Sequence, residues 1–462
     1  MSTGPPDDRE TPDTNQSPPD ADQPTPAADQ STPDANQSTP DADQSTPDVD
    51  QPTPGTDQPG PTDPSDRIVA LDALRGFALL GILVINIWLF GMPTIAAFNP
   101  ALYGDFTGAN YLAWLLSHVF FEMKFVTLFT FMFGAGMVLF LESKERKGQP
   151  GRTLHLSRTF WLLVIGLGHA YLLWYGDILV FYALAGVLVV WVWRWRPFRQ
   201  FVLGVAMFAI PSLLYLLAGV SYVVLDAEGR AELEAELLSA FGAAFSPERE
   251  IEIYRSGWLD QMAHRVPVAF EYHTLGFAFE AFWMLGGLMI VGMALYKWGI
   301  ISNDRSTRVY KRVLVGAGGI GLGLVLVGVW LREVYAWETV PVLTIAFQFN
   351  YWGAPLVAAG YLAGIMLLCR WASEGIAVRA LAAVGRTAFS NYLLQTVIAT
   401  TIFYGHGLGL FGQLSRVELL GVVVLIWAIQ IPLSMWWLQR FRFGPIEWVW
   451  RTLTYRRRQP MR

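Results

Sequence analysis

Runs of about eighteen or more apolar residues recur along this chain from residue 68 onward. A run of that length is what a helix needs to cross the ~30 Å hydrocarbon core of a bilayer. Charged residues make up only 15% of the chain and hydrophobic residues 53%; soluble domains carry about 25% charged residues. The expected fold is all-α: a polytopic membrane helical bundle of about ten transmembrane helices. The spans read as 68–92, 123–142, 157–175, 177–194, 199–224, 271–297, 311–332, 350–370, 385–404 and 416–439, with an interfacial helix at 108–121.

Basic residues set the orientation, because Lys and Arg are retained on the cytoplasmic side. With ten spans, five basic clusters share one side. They are Lys144 to Arg158, Arg194 to Arg199, Lys297 to Arg312, Arg370 with Arg379, and the terminal RRRQPMR. Both termini are then expected to be cytoplasmic, in a multi-pass protein of the plasma membrane.

The formal charge of −5 divides unevenly. Residues 1–66 hold fifteen Asp/Glu against one Arg, a net charge of −14, while the rest holds 32 Lys/Arg against 23 Asp/Glu, a net charge of +9. The first segment repeats a heptad as PTPAADQ, STPDANQ, STPDADQ, STPDVDQ and PTPGTDQ. It lacks apolar a and d positions and is full of proline, so it is no coiled coil. Its composition predicts a disordered tail, dispensable for the core activity. The expected organisation is therefore a tail over 1–66 and a membrane domain over 67–455. Within the latter, 67–225 forms one half, 226–270 an outer-side segment and 271–455 the other half. A basic tail follows at 456–462. In the outer segment AEGRAELEAELLSAF reads as an amphipathic helix.

One cysteine, Cys369, excludes an intrachain disulfide. Six histidines without an H-x-x-x-H pair give no zinc signature. No Walker loop or G-x-S-x-G elbow occurs, and nothing points to a nucleic-acid partner.

Ionisable groups inside apolar spans are costly and are functional candidates by default. The sharpest case is HAYLLWYGDIL. Gly176-Asp177 reads as the outer turn between the third and fourth spans, with Asp177 a helix cap that can also serve a site. His169 is expected about two turns deeper, either hydrogen-bonded between helices or facing a wet cavity. Arg75 and Asp72 are i,i+3 neighbours that pair with each other, or else Arg75 holds an anionic group. Asn86 lies three turns along the same helix, as interhelical glue or as a donor to a ligand. His118, Glu122 and Lys124 meet at the outer boundary, where Lys124 snorkels or joins a site. Gly134 and Gly136 permit close helix approach. Glu271 and His273 stand at a boundary and Glu280 well inside, as a carboxylate in need of a basic partner. Arg386, Ser390, Asn391 and Gln395 form a polar stripe that should face the bundle interior. Glu447 and Arg451 are spaced i,i+4 for a surface ion pair.

Six ordered segments carry a family resemblance: LDALRGFALLGILVIN, FGMP with NPALYG, KFVTLFTFMFGAG, HAYLLWYGDIL, GRTAFSNYLLQT and FGPIEWVWRTLT. Over 67–455 the chain resembles the YeiB-like prokaryotic membrane proteins, whose C-terminal half is a domain of unknown function numbered 418. That family looks distantly similar to the transmembrane acyltransferases, which take an acyl group from cytosolic acyl-CoA to an acceptor across the membrane. The resemblance thus implies acyl-CoA as co-substrate, no bound cofactor, and a polar acceptor beside the lipid bilayer as partners. The O-acetylating branch places a histidine eleven positions after a basic residue in its first span. Here Arg75 matches the basic position, but Asn86 stands at the second.

The expected site then has His169 as base, oriented by Asp177 or Glu280. Arg75 and Arg386 would hold the donor phosphates, Asn86 or Asn391 the oxyanion, and Lys124 and Gln395 would complete the polar lining. A small-solute transporter and a non-catalytic envelope factor are the alternatives. No internal repeat of the transporter kind is evident.

Overall fold

A computed structural model describes residues 69–240 and 246–462. The expected tail therefore lies outside the described residues. Among those described, regular structure is helical throughout, without strands. The longer helices are α1 Val69–Gly91, α2 Gly108–Phe120, α3 Lys124–Arg146, α4 Gly151–Leu172, α5 Leu179–Val189, α6 Pro197–Val224, α7 Ala227–Ala240, α8 Pro247–Arg255, α9 Trp258–Glu271, α10 Phe282–Lys297, α11 Gly318–Val334, α12 Phe347–Trp371, α13 Ile376–Arg386, α14 Ala388–Phe403, α15 Arg416–Leu438 and α16 Pro445–Tyr455.

Seven helical stretches are long and apolar enough to cross a membrane. They are Val69–Gly91, Gly108–Arg146, Pro197–Val224, Trp258–Lys297, Thr307–Val334, Thr339–Trp371 and Arg416–Leu438. The other three expected spans are helical but shorter or less apolar than these seven. α4 opens with Arg152, His155 and Arg158. The apolar stretch Leu179–Val192 is short. α14 has 16 residues, about 24 Å at 1.5 Å per residue, less than a full hydrocarbon core. The stretch expected at 271–297 belongs to a continuous helix from Trp258, whose middle, Tyr272–Ala281, is π-helical.

Glycines bring helices into backbone contact. α1 crosses α13 so closely that a Cβ on Gly385 would stand 1.8 Å from the Asp72 carbonyl oxygen, and one on Gly76 1.9 Å from that of Leu381. α3 meets α10 in the same way at Gly134, 1.9 Å from the Met289 carbonyl oxygen. Gly136, expected to do the same, has nothing within 4 Å. One helical turn rotates by 3.6 residues, so a residue two positions on faces away from that crossing.

The segment 226–270 divides. Helix α7 forms where AEGRAELEAELLSAF predicts one, and none of residues 227–238 is buried against the rest of the chain. α8 and α9 instead pack inward through Tyr254, Gln261 and Arg265. Glu250 in α8 is buried, and its carboxylate accepts hydrogen bonds from Thr94 N at 2.9 Å and Thr94 Oγ1 at 2.6 Å. Burial pushes this carboxyl up from its ordinary value, and the two Thr94 bonds counter that only in part. A raised carboxyl binds its proton more tightly folded than unfolded. Its contribution is complete below the ordinary value of 4.5 and is lost as pH rises through the folded value. Glu250→Gln, neutral throughout, should flatten that fall, which melting temperatures between about pH 4 and about pH 8 would read.

Candidate functional site

His169 closes the last turn of α4. The amides of Leu173 and Trp174 both donate to its carbonyl, at 2.9 and 3.0 Å, so the chain turns back at once. A Cβ on Gly176 would lie 2.5 Å from the Trp174 indole, so glycine lets this turn fold over the tryptophan. Asp177 is thereby laid against the imidazole, not two turns away from it. His169 Nδ1 and Asp177 Oδ2 are 2.6 Å apart, and both side chains are buried. The other carboxylate oxygen accepts from Val180 N at 2.8 Å and caps α5. The cap and the histidine contact belong to one residue.

With Nδ1–H donating to the carboxylate, Nε2 carries the lone pair. The hydroxyl of Thr396, on α14, stands 2.9 Å from it and is the donor in that tautomer; the same hydroxyl also reaches its own helix's Tyr392 carbonyl at 3.5 Å. The rings of Tyr392 and Trp174 flank His169 at 5.2 and 6.5 Å. The Tyr392 hydroxyl accepts from Ile178 N at 3.4 Å, tying the turn to α14. Asp177, His169 and Thr396 therefore form a relay from three chain segments, the arrangement that activates a hydroxyl in triad enzymes. Sequence reasoning missed Thr396. The signal was the polar stripe of α14, which continues past Gln395 into Thr396 and Thr400.

The other expected residues bond elsewhere. Glu280 accepts from the Tyr215 hydroxyl at 3.0 Å, on α6. Arg75 donates to Asp72 at 2.9 Å. Asn86 is half-buried, and its side chain has no hydrogen-bond partner among the described residues. Arg386 donates to the Arg442 carbonyl at 3.3 Å. Asn391 donates to Thr387 Oγ1 at 3.0 Å and Ser434 Oγ at 2.8 Å, and Gln395 donates to Gln430 Oε1 at 3.0 Å. These last two bolt α14 to α15. Lys124 donates to the His118 carbonyl at 2.6 Å and to Asn350 Oδ1. Two clefts, one at Trp448 and Arg458 and one at Val69, Ser302 and Cys369, touch none of the relay residues.

Glu447 does not make the expected ion pair with Arg451. Its carboxylate accepts from Phe389 N at 2.7 Å, Ser390 N at 3.2 Å and the Ser390 hydroxyl, capping α14. An acid at a helix N-terminus meets unpaired amides and the positive end of the dipole, which a surface lysine or arginine does not offer. Arg451 lies instead over the Phe443 ring at 4.3 Å.

The profile described as "Protein of unknown function (DUF418)" matches residues 295–457. The "Uncharacterized protein YeiB" of Escherichia coli (strain K12) is 34% identical over 401 residues, covering 86% of this chain and 98% of that protein. The chain belongs to the YeiB-like family. The "Uncharacterized protein YxaH" of Bacillus subtilis (strain 168) is 29% identical over 416 residues, 87% of this chain and 97% of its own length. An "Uncharacterized 39.9 kDa protein in amylase 3'region" of Bacillus acidopullulyticus is 26% identical over 401 residues. The DUF418 profile match at 295–457 contains Thr396 and Glu447, whereas His169 and Asp177 lie before it. The relay thus joins the two parts of a YeiB-like chain.

Proposed function

We propose that this protein is an integral-membrane acyltransferase that moves an acyl group from cytosolic acyl-CoA to a polar acceptor at or across the membrane. The observation that carries this reading is the buried Asp177–His169–Thr396 relay, with His169 Nδ1 2.6 Å from a carboxylate oxygen and Nε2 2.9 Å from a hydroxyl. An acceptor hydroxyl or amine takes the place of Thr396 on Nε2 and gives up its proton there. The acceptor atom bonds to the thioester carbonyl carbon, the C–S bond breaks, and His169 returns the proton to the departing thiolate. Asp177 stabilises the imidazolium formed in between. A base so placed contributes about 10²–10⁴ in rate.

The remaining assignments follow the same reading. Arg75 and Arg386 bind donor phosphates on the cytosolic side, in a plasma-membrane protein of ten spans with cytoplasmic termini. Among the two asparagines, Asn86 is the better oxyanion donor, because the Asn391 amide is committed to Thr387 and Ser434. The tail over 1–66 is dispensable. Glu280, bonded to Tyr215, is not needed to orient the base. The test is release of free thiol from acyl-CoA by purified protein with hydroxyl and amine acceptors. Turnover should appear in the wild type and vanish in His169→Ala. No turnover by the wild type, or equal turnover by the variant, defeats the reading.

A further inference from the structure

A second polar cluster lies between α2, α3, α11 and α12, apart from the relay. Its members are His118, Glu122, Lys124, Arg332 and Asn350. His118 and Lys124 are 1% and 0% exposed, Arg332 4% and Asn350 0%. The single carboxylate is spoken for: Glu122 takes His118 Nδ1 at 2.6 Å on one oxygen and Asn350 Nδ2 at 3.3 Å on the other. Lys124 has only neutral oxygens as partners, those of His118 and Asn350.

Arg332 is the anomaly. Among the described residues its guanidinium makes no hydrogen bond and no ion pair, and its Nε is buried without a partner. It rests against two indole rings, Trp114 at 6.0 Å and Trp337 at 5.8 Å. Two aromatic faces attract a cation but satisfy none of its five N–H donors. His118 Nε2 is likewise buried and unpartnered. The cluster thus holds two basic side chains against one carboxylate, in surroundings where unpaired charge is costly.

The backbone points to the same place. Five non-glycine residues among those described have φ in the left-handed region: Met123, Asn303, Ala336, Trp337 and Arg456. Three of them border this cluster. Met123 separates Glu122 from Lys124, while Ala336 and Trp337 form the turn that lays an indole on Arg332. Such conformations cost about 1–3 kcal/mol each and persist where surrounding structure imposes them. Asn99 Nδ2 holds the Trp337 carbonyl at 2.9 Å, and Glu333 accepts from Tyr111 Oη at 2.9 Å and from Trp337 Nε1 at 3.3 Å. The indole is therefore fixed over the cation from two sides.

We infer that Arg332, with Lys124 and His118, forms a binding site for an anionic oxygen group, a carboxylate or a phosphate. The fork of Arg332 supplies paired donors for two oxygens of the anion, a geometry lysine cannot reproduce. Where the ligand carries a hydroxyl, as hydrogen phosphate does, His118 Nε2 receives it. The charge of the guest balances the Arg332 guanidinium, which has no hydrogen bond among the described residues. The two indoles exclude water from the pair and confine the guest to the plane of the guanidinium.

The inference is tested on the purified full-length chain in neutral detergent. Inorganic phosphate and acetate are titrated against chloride at matched ionic strength, with melting temperature and calorimetry as readouts, and phosphatidic acid in mixed micelles is a third arm. Saturable binding of phosphate or acetate is expected, with Arg332→Gln weakening it about tenfold to a hundredfold, as loss of a charge-assisted bond does. Saturation by phosphatidic acid alone, weakened equally by Arg332→Gln, supports the site and names lipid as its source. Arg332→Lys keeps the charge and loses the fork, and supplies the same comparison if the glutamine variant does not fold. His169→Ala should bind as the wild type does, so failure of the acyl-transfer reading leaves this one standing. No saturable binding in any arm, or equal affinity in the Arg332 variants, overturns it.

Discussion

Asp177→Asn is expected to lower acyl transfer by about 10²–10⁴-fold while the protein stays folded. The wild-type carboxylate uses both oxygens, one on His169 Nδ1 at 2.6 Å and one on Val180 N at 2.8 Å. An asparagine has the same shape but one acceptor oxygen. That oxygen can keep the α5 cap, which leaves the amide N–H groups facing the imidazole. His169 must then place its proton on Nε2, and Thr396 must accept where it donated. The ring remains hydrogen-bonded, so packing is preserved. The lone pair that faced the acceptor is gone, and so is the negative charge that stabilised the imidazolium. Turnover and melting temperature measured on the same preparation separate the two roles. Activity close to wild type would reduce Asp177 to a cap. A melting temperature that falls together with activity would make the relay a structural device.

Gly385→Val should prevent α1 and α13 from docking, at a cost of about 3–5 kcal/mol or more. The added Cβ would meet the Asp72 carbonyl oxygen at 1.8 Å and Gly76 N at 2.8 Å. Both are backbone atoms, so no rotamer change relieves the clash and the helices themselves must separate. Separation strips the Gly76 face from the Leu381 carbonyl as well. In lipid, where apolar surface gains little by leaving its surroundings, close backbone contact is a main source of helix association. Melting temperature and size-exclusion profile would read the loss. Gly136→Ala, with nothing within 4 Å, is the control and should match the wild type. A monodisperse Gly385→Val protein with unchanged melting temperature would contradict the crossing.

The helical class was legible because apolar runs longer than a soluble strand or turn leave few other readings. The charge-poor spans α1, α6 and α15 were plain for that reason. α4 and α14 were harder. The basic residues of α4 and the short length of α14 make hydropathy a weak guide, and their burial depends on neighbours distant in the chain. At the site, the His169 and Asp177 anomaly was visible as polarity in an apolar stretch. Their direct contact was not, since it depends on a turn around Trp174 that periodicity does not encode. Thr396 was invisible for another reason. Threonine is common in helices and bonds its own backbone, as Thr400 does with the Thr396 carbonyl at 2.8 Å. Glu447 was misread because i,i+4 spacing speaks only of its own helix.

The contact between α1 and α13 also orders the protein's birth. Residue 76 leaves the ribosome roughly 300 residues before its partners at 381–385, about 15–60 s at 5–20 residues per second. Through that interval α1 lacks the Leu381 and Gly385 backbone that covers its Gly76 face. A nascent chain that stalls before α13 would present that face to other small-residue helices, and a membrane insertase or chaperone that shields it would set the yield of folded protein.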